Sequence, residues 1–153
     1  MQIITPSRLH IALIDLNGSY GRVDGSIGIT LENPSLSLTA EETDRDTHVE
    51  FSEKNLPQAV TAEYTRKITR AEQNIRRVLG LEQNFCFTVN STYPTHSGLG
   101  SGTQIALATG KLMTEAAGLH LSAVELAKIV GRAGTSGIGT YGFDLGGFIA
   151  DGG

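Results

Sequence analysis

Pro94-Thr95-His96-Ser97-Gly98-Leu99-Gly100-Ser101-Gly102-Thr103 runs directly into a helical pattern, QIALATGKLMTEAAG, and follows a strand-like segment at residues 85–90. The order is strand, glycine-rich turn, helix N-terminus, and it suits a phosphate. The N–H groups of a first helical turn have no intrahelical partner, and the helix dipole adds partial positive charge beside them. Gly98, Gly100 and Gly102, with Leu99 between them, leave room for close approach of phosphate oxygens. Ser97, Ser101 and Thr103 offer hydroxyl donors, and Ser101 or Gly102 is the expected N-cap. The stretch is not a Walker A loop, because no Lys-Ser or Lys-Thr pair follows the last glycine and Lys111 lies more than two turns into the helix. A glycine-rich connection that only lets a helix pack closely on a sheet has the same local pattern, so the turn alone does not decide the chemistry.

The 153 residues suit one domain with a buried core. With 39% apolar and 18% charged residues, the chain reads as globular rather than disordered. A net charge of −4 argues against a broad nucleic-acid-binding face but allows a local basic pocket. The single cysteine, Cys86, excludes an intramolecular disulfide and any multi-cysteine metal site. Lying among Phe85, Phe87 and Val89, it reads as a buried, inert thiol. No apolar run approaches the ~18 residues of a membrane span, and no basic-then-apolar leader opens the chain, which reads as soluble and cytoplasmic. The glycines cluster at 18–28, 98–102 and 134–147, placing unusual backbone at three loops.

Residues 3–4 and 9–13 are expected as strands separated at Pro6. A polar glycine-rich loop should follow at 15–26, then a short strand at 27–31. Residues 35–40 alternate through Leu36 and Leu38 as a half-buried strand does, and 48–51 are expected to pair with them. Residues 41–46 read as a charged surface turn. Between Gln58 and Leu79, Val60, Tyr64, Ile68, Ala71, Ile75, Val78 and Leu79 recur at helical spacing, with Gly80 as the stop. Arg66, Lys67, Arg70, Arg76 and Arg77 occupy its other faces and read as a solvated surface, with attraction of phosphate as the alternative. Ser122 and Glu125 form a capping box for a helix over 123–132. A loop at 134–142 and a strand at 143–149, interrupted at Gly146-Gly147, complete an α+β arrangement with strands first and helices later.

Arg8 and His10 alternate with Leu9 and Ile11, so they share one strand face. Asp15, Asn17, Arg22 and Asp24 surround Gly18, Gly21 and Gly25. Arginines beside a glycine-rich loop suit phosphate or carboxylate, which guanidinium binds bidentately. Asp15 and Asp24 are the carboxylates that magnesium could use, since that ion takes one or two carboxylates plus phosphate oxygens and water. Each of these residues equally suits capping of a turn. The loop GTSGIGT at 134–140, containing Ser136, Gly137 and Gly139, is a second phosphate-sized feature, or a plain helix-to-strand turn.

The segment PTHSGLGSGTQIALATG resembles the phosphate-binding motif of the GHMP kinase superfamily, in which proline, a short polar spacer and Gly-Leu-Gly-Ser open a long helix. SRLHIALIDLNGSYGRVDGSIGITLENP and GRAGTSGIGTYGFDLGGFIADGG are similar to one branch, the beta-ribofuranosylaminobenzene 5'-phosphate synthases of the methanopterin pathway. The resemblance implies a GHMP-kinase N-terminal domain of the ribosomal protein S5 domain 2-like type, a mixed sheet with helices on one face. Proteins of this family continue for roughly as long again, so residues 1–153 are expected to be the N-terminal domain and to lack the C-terminal one. The implied reaction joins phosphoribosyl pyrophosphate to 4-aminobenzoate or 4-hydroxybenzoate with loss of pyrophosphate and carbon dioxide. Magnesium is the implied cofactor; a homodimer is compatible with it, and neither nucleic acid nor membrane is an expected partner.

On that resemblance Arg8, Arg22 and Asp24 are the expected catalytic residues. Ser97, Gly98, Leu99, Gly100, Ser101, Gly102, Thr103, Gly137 and Gly139 would bind phosphate, His10, Asn17 and Ser136 would bind substrate, and Asp15 is the candidate metal ligand. One departure is informative. Superfamily kinases carry a catalytic-base aspartate where this chain has Gly139. A kinase needs a group that orients or deprotonates the acceptor hydroxyl, so the departure favours the synthase branch. Two other readings stand beside it: an ATP-dependent small-molecule kinase, and a non-catalytic, truncated phosphate-binding domain.

Overall fold

β1 (Gln2–Ile14) and β2 (Gly25–Glu42) form the spine of the computed structural model, which describes residues 1–14, 17–19, 21, 25–94, 97–132 and 137–152. They pair antiparallel along almost their whole length. The sequence breaks expected at Pro6 and near Pro34 do not end either strand. Instead the register shifts between Pro6 and Ser7, and residues 32–34, with a cis Asn33–Pro34 bond, are passed over in the ladder. Proline cannot donate a ladder hydrogen bond and is tolerated at edges and bulges; β1 is an edge strand of the sheet.

β3 (His48–Phe51) pairs with β4 (Phe85–Ser91), not with residues 35–40. The pairing is parallel because α1 (Gln58–Leu79) carries the chain back between the two strands, the usual requirement of a parallel connection. β4 lies between β2 and β3, and β5 (Phe148–Asp151) pairs antiparallel with the first part of β2. The result is a mixed five-stranded sheet.

α1 matches its expected bounds and ends at Gly80, whose N–H donates to the Arg76 carbonyl. α2 spans Ser101–Ala116, and α3 covers only Ala123–Ile129, shorter than the expected 123–132. α4 (Ile138–Asp144) occupies residues expected as loop and strand. Gly146 and Gly147 separate this helix from β5 rather than interrupting a strand. The reason is packing: Ile138, Gly139, Thr140 and Gly142 are buried, a helical spacing too short to distinguish from a strand by sequence. Cys86 is half-buried rather than buried, since Phe85 and Phe87 take the core side of β4 and alternation turns the thiol outward.

Leu36, Leu38, Phe85, Phe87 and Val89 face Tyr64, Ile68 and Ile75 of α1 and Ile105, Leu112 and Met113 of α2 in one core. Burying each such large side chain stabilises the fold by about 1.5–3 kcal/mol relative to leaving it exposed. α2 is the central helix, buried on most sides by α1, the sheet, α3 and α4. On the sheet face away from the core, Leu9, Ile29 and Phe148 form an exposed cross-strand row. No described helix is long and apolar enough to cross a membrane.

Candidate phosphate site

The turn before α2 begins the helix without a side-chain cap. Gly100, not Ser101 or Gly102, is the N-cap, and it takes a left-handed conformation (φ 81°) that L side chains rarely adopt. Its carbonyl accepts from the N–H groups of Thr103 (3.2 Å) and Gln104 (3.3 Å). Among the described residues no acceptor meets the N–H groups of Ser101 and Gly102, which stand at the positive end of the helix dipole. The Ser97 hydroxyl is used locally, donating to the Pro94 carbonyl at 2.6 Å. Gly98 and Ser97 are exposed, while Ser101 is buried at the helix start.

β1 brings Arg8 onto this turn. The Arg8 backbone N–H donates to the Leu99 carbonyl at 3.0 Å, and its Nη1 donates to the Gly98 carbonyl at 3.2 Å. A Cβ at Gly100 would lie 2.8 Å from Arg8 Cγ and 2.9 Å from its Nε, so only glycine admits this packing undisturbed. Arg8 Nε, His10 Nε2 and the Tyr93 hydroxyl are buried atoms without a hydrogen-bond partner among the described residues. Burial lowers the Arg8 pKa from its usual value, and nearby Tyr93 opposes that. Burial pushes the Tyr93 phenol well up, with Tyr64 adding to the effect, so the hydroxyl stays a neutral donor. Burial also lowers His10, and the Arg8 charge reinforces it. Tyr64, buried on α1, donates to the Tyr93 carbonyl at 3.0 Å and accepts from its N–H at 3.2 Å, tying the helix to the segment that enters the turn.

The second glycine-rich loop meets the same helix end. Gln104 Nε2 donates to the Gly139 carbonyl at 2.8 Å, and a Cβ at Gly139 would lie 3.1 Å from Thr103 Cγ2. Gly139 is therefore buried inside α4 and directed at the first turn of α2. The Gly137 N–H donates to Asp151 Oδ2 at 2.7 Å. Asn17 is exposed, and its side-chain oxygen accepts from the Ser19 N–H. Asp15, Arg22, Asp24 and Ser136 lie outside the described residues.

The model of the GHMP kinases N terminal domain matches residues 64–150. The chain belongs to the GHMP kinase family. It is 51% identical over 151 residues to a beta-ribofuranosylphenol 5'-phosphate synthase of Methanothermobacter thermautotrophicus, covering 99% of this chain and 45% of that protein. It is 45% identical to a protein of the same name from Methanocaldococcus jannaschii, covering 100% of this chain and 47% of that protein. The chain thus spans about half the length of the curated relatives it matches. Among solved structures, Methanococcus jannaschii mevalonate kinase superposes with a TM-score of 0.70 at 20% identity, over 98% of this chain and 53% of that one. A D-glycero-D-manno-heptose 1-phosphate kinase from Bacteroides thetaiotaomicron gives 0.69 at 22% identity, over 96% and 54%. These structural likenesses establish the GHMP-kinase fold, and the curated relatives carry the resemblance to the synthase branch.

Within that family the structure gives physical meaning to Gly139. The position points at Thr103 and has no room for a longer side chain without displacing it. Asp144 and Asp151 accept from the N–H groups of Ala123 (2.9 Å) and Gly137 (2.7 Å). The described groups at the turn are therefore N–H, hydroxyl and guanidinium donors, a set that fits an anion rather than a cation. Sequence reasoning missed Tyr93, which carries no motif signal, and Arg132, which lies far along the chain yet flanks Gly102 together with Lys67 of the basic α1 face. For Lys67 the spacing of Arg66, Lys67 and Arg70 on one arc of α1 is the available clue.

Proposed function

We propose that this chain supplies the phosphoribosyl-pyrophosphate wall of an enzyme that couples that substrate to a para-substituted benzoate. The observation that carries the reading is the N-terminus at Gly100, which has no side-chain cap among the described residues, with the buried Arg8 Nε and Tyr93 hydroxyl unpartnered among those residues beside it. Its support is the kinship with proteins named beta-ribofuranosylphenol 5'-phosphate synthase. A phenol in those names favours 4-hydroxybenzoate over 4-aminobenzoate as the acceptor.

On this reading the bond from ribose C1 to pyrophosphate breaks and its electron pair leaves with the pyrophosphate. Positive charge develops on the ribose, and the ring carbon that bears the carboxylate attacks C1. The carbon–carbon bond forms, carbon dioxide departs, and its bond electrons restore the aromatic ring. The Ser101 N–H and the Arg8 guanidinium meet the charge growing on the leaving group, where preorganised donors contribute most. With Arg8 committed to the leaving group, Arg22 is the arginine the sequence offers to hold the aromatic carboxylate until it is lost. Magnesium, when bound, would neutralise charge on the pyrophosphate, and Asp15 is the residue the sequence offers to hold it. The second wall belongs to the length of the relatives that this chain does not span, because holding two reactants in line and excluding water takes more than one face.

The rival reading, phosphoryl transfer from ATP, lacks a carboxylate at position 139. Calorimetry of the chain with pyrophosphate, with and without magnesium, tests the proposal. Saturable binding is expected, and no heat in either condition counts against it.

A further inference from the structure

On the far side of the same helical turn, α1 and α2 enclose a cleft of about 140 Å³ lined by Arg66, Lys67, Arg70, Gly102, Val130 and Arg132. Four cationic side chains converge there in a chain whose net charge is −4. Glu63 pairs with Lys67 at 2.6 Å, both side chains only 13% exposed, while Arg66 and Arg70 have no carboxylate within 4.0 Å among the described residues. An anion in the cleft would give Arg66 and Arg70 the opposite charge that no carboxylate among the described residues supplies.

The backbone joins in. A Cβ at Gly102 would sit 2.9 Å from Arg132 Nη2 and 3.6 Å from Lys67 Nζ, so the first turn of α2 approaches these cations with nothing but main chain. Ala71, Ala106 and Val130 complete the lining with apolar surface, which strengthens charged hydrogen bonds. Guanidinium groups suit the bidentate geometry of phosphate oxygens. The volume is several times the ~30 Å³ that a water takes up in the liquid, enough for a phosphate group.

Gly100 packs on Arg8, whereas Gly102 packs on Arg132 and Lys67. The turn therefore divides two cationic sites. We infer that this second cleft takes the phosphate monoester of a sugar phosphate, the 5'-phosphate of the ribose substrate, while the Gly98–Ser101 side takes the pyrophosphate. The inference rests on the proposed phosphoribosyl reading, because a substrate phosphorylated at both ends needs two anion sites. The monoester is untouched by the reaction, so its binding energy serves to position the ribose.

The test is residue-resolved nuclear magnetic resonance of the 15N-labelled chain. It is titrated separately with ribose 5-phosphate, pyrophosphate and inorganic phosphate. Ribose 5-phosphate should perturb the amides of Ala71, Gly102 and Ala106, and pyrophosphate those of Gly98 and Ser101. Arg66 and Arg70 are exposed, so the double variant Arg66→Gln, Arg70→Gln keeps the core. It should weaken ribose 5-phosphate about tenfold or more, the scale of lost charged hydrogen bonds, and leave pyrophosphate binding within about threefold. Unchanged ribose 5-phosphate affinity in that variant, or shifts confined to Gly98 and Ser101, would overturn the inference while leaving the pyrophosphate site intact. Inorganic phosphate binding the cleft as tightly as ribose 5-phosphate would overturn the sugar-phosphate assignment. Loss of pyrophosphate shifts alone, with the cleft still filling, would instead count against the proposed function.

Discussion

Replacing Gly100 by alanine separates the backbone demand of the turn from its contact with Arg8, provided Gly118→Ala is measured beside it. Both glycines have positive φ, 81° and 72°, but a Cβ at Gly118 meets nothing within 4 Å. Holding an L residue in the left-handed region costs roughly 1–2 kcal/mol, so both variants lose that much. For a chain of this size each kcal/mol lowers Tm by about 2–4 °C. At Gly100 the new methyl falls 2.8 Å from Arg8 Cγ and 2.9 Å from Nε, and the guanidinium must move. Its hydrogen bond to the Gly98 carbonyl is then lost, adding about 0.5–1.5 kcal/mol. Urea unfolding should therefore rank wild type above Gly118→Ala above Gly100→Ala. Calorimetry with pyrophosphate should show a loss of about tenfold for Gly100→Ala, the equivalent of one charged contact, and none for Gly118→Ala. Equal stability and equal affinity in the two variants would refute the role given to Arg8.

Tyr64→Phe removes both hydrogen bonds to Tyr93 and leaves a buried N–H and carbonyl without that partner; a loss of about 1–3 kcal/mol in urea unfolding is expected. Hydrogen bonds from the Ser122 side chain and backbone hold the Glu125 carboxyl below its usual range. A depressed folded pKa means the contribution is fully present above the unfolded value of about 4.3 and is lost as pH falls through the folded pKa. Glu125→Gln should therefore flatten the dependence of stability on pH in that acid window, measured by unfolding at a series of pH values. Gly139→Asp puts a carboxylate at a buried site 3.1 Å, at its Cβ, from Thr103 Cγ2. It should lower Tm and create no ADP release with ATP plus mevalonate, homoserine or galactose, because a base without a positioned acceptor does not make a kinase.

The long elements were legible because their signals are local and repeated. α1 shows its apolar stripe over 22 residues, and the Ser122–Glu125 box marks the start of α3 without tertiary information. Strand continuity was not, because Pro6 and Pro34 are local break signals and only the edge position of β1 and the bulged pairing absorb them. The partner of β3 depends on where α1 delivers the chain, a non-local fact. α4 is too short for its period to declare itself, whereas the outward turn of Cys86 was present in the alternation of β4. At the site, glycine spacing revealed the turn, and the family resemblance pointed to Arg8. Nothing local shows that Arg8 packs on Gly100, or that Arg132 closes a cleft with Arg66, Lys67 and Arg70, since each contact joins separate elements.

The most direct test of the account joins this chain to the C-terminal half of the Methanothermobacter thermautotrophicus relative and supplies phosphoribosyl pyrophosphate, magnesium and carboxyl-labelled 4-hydroxybenzoate. Labelled carbon dioxide and pyrophosphate should appear in equal amounts, and Arg8→Gln should abolish both. Release of ADP from ATP with a small alcohol, and no labelled carbon dioxide, would contradict it.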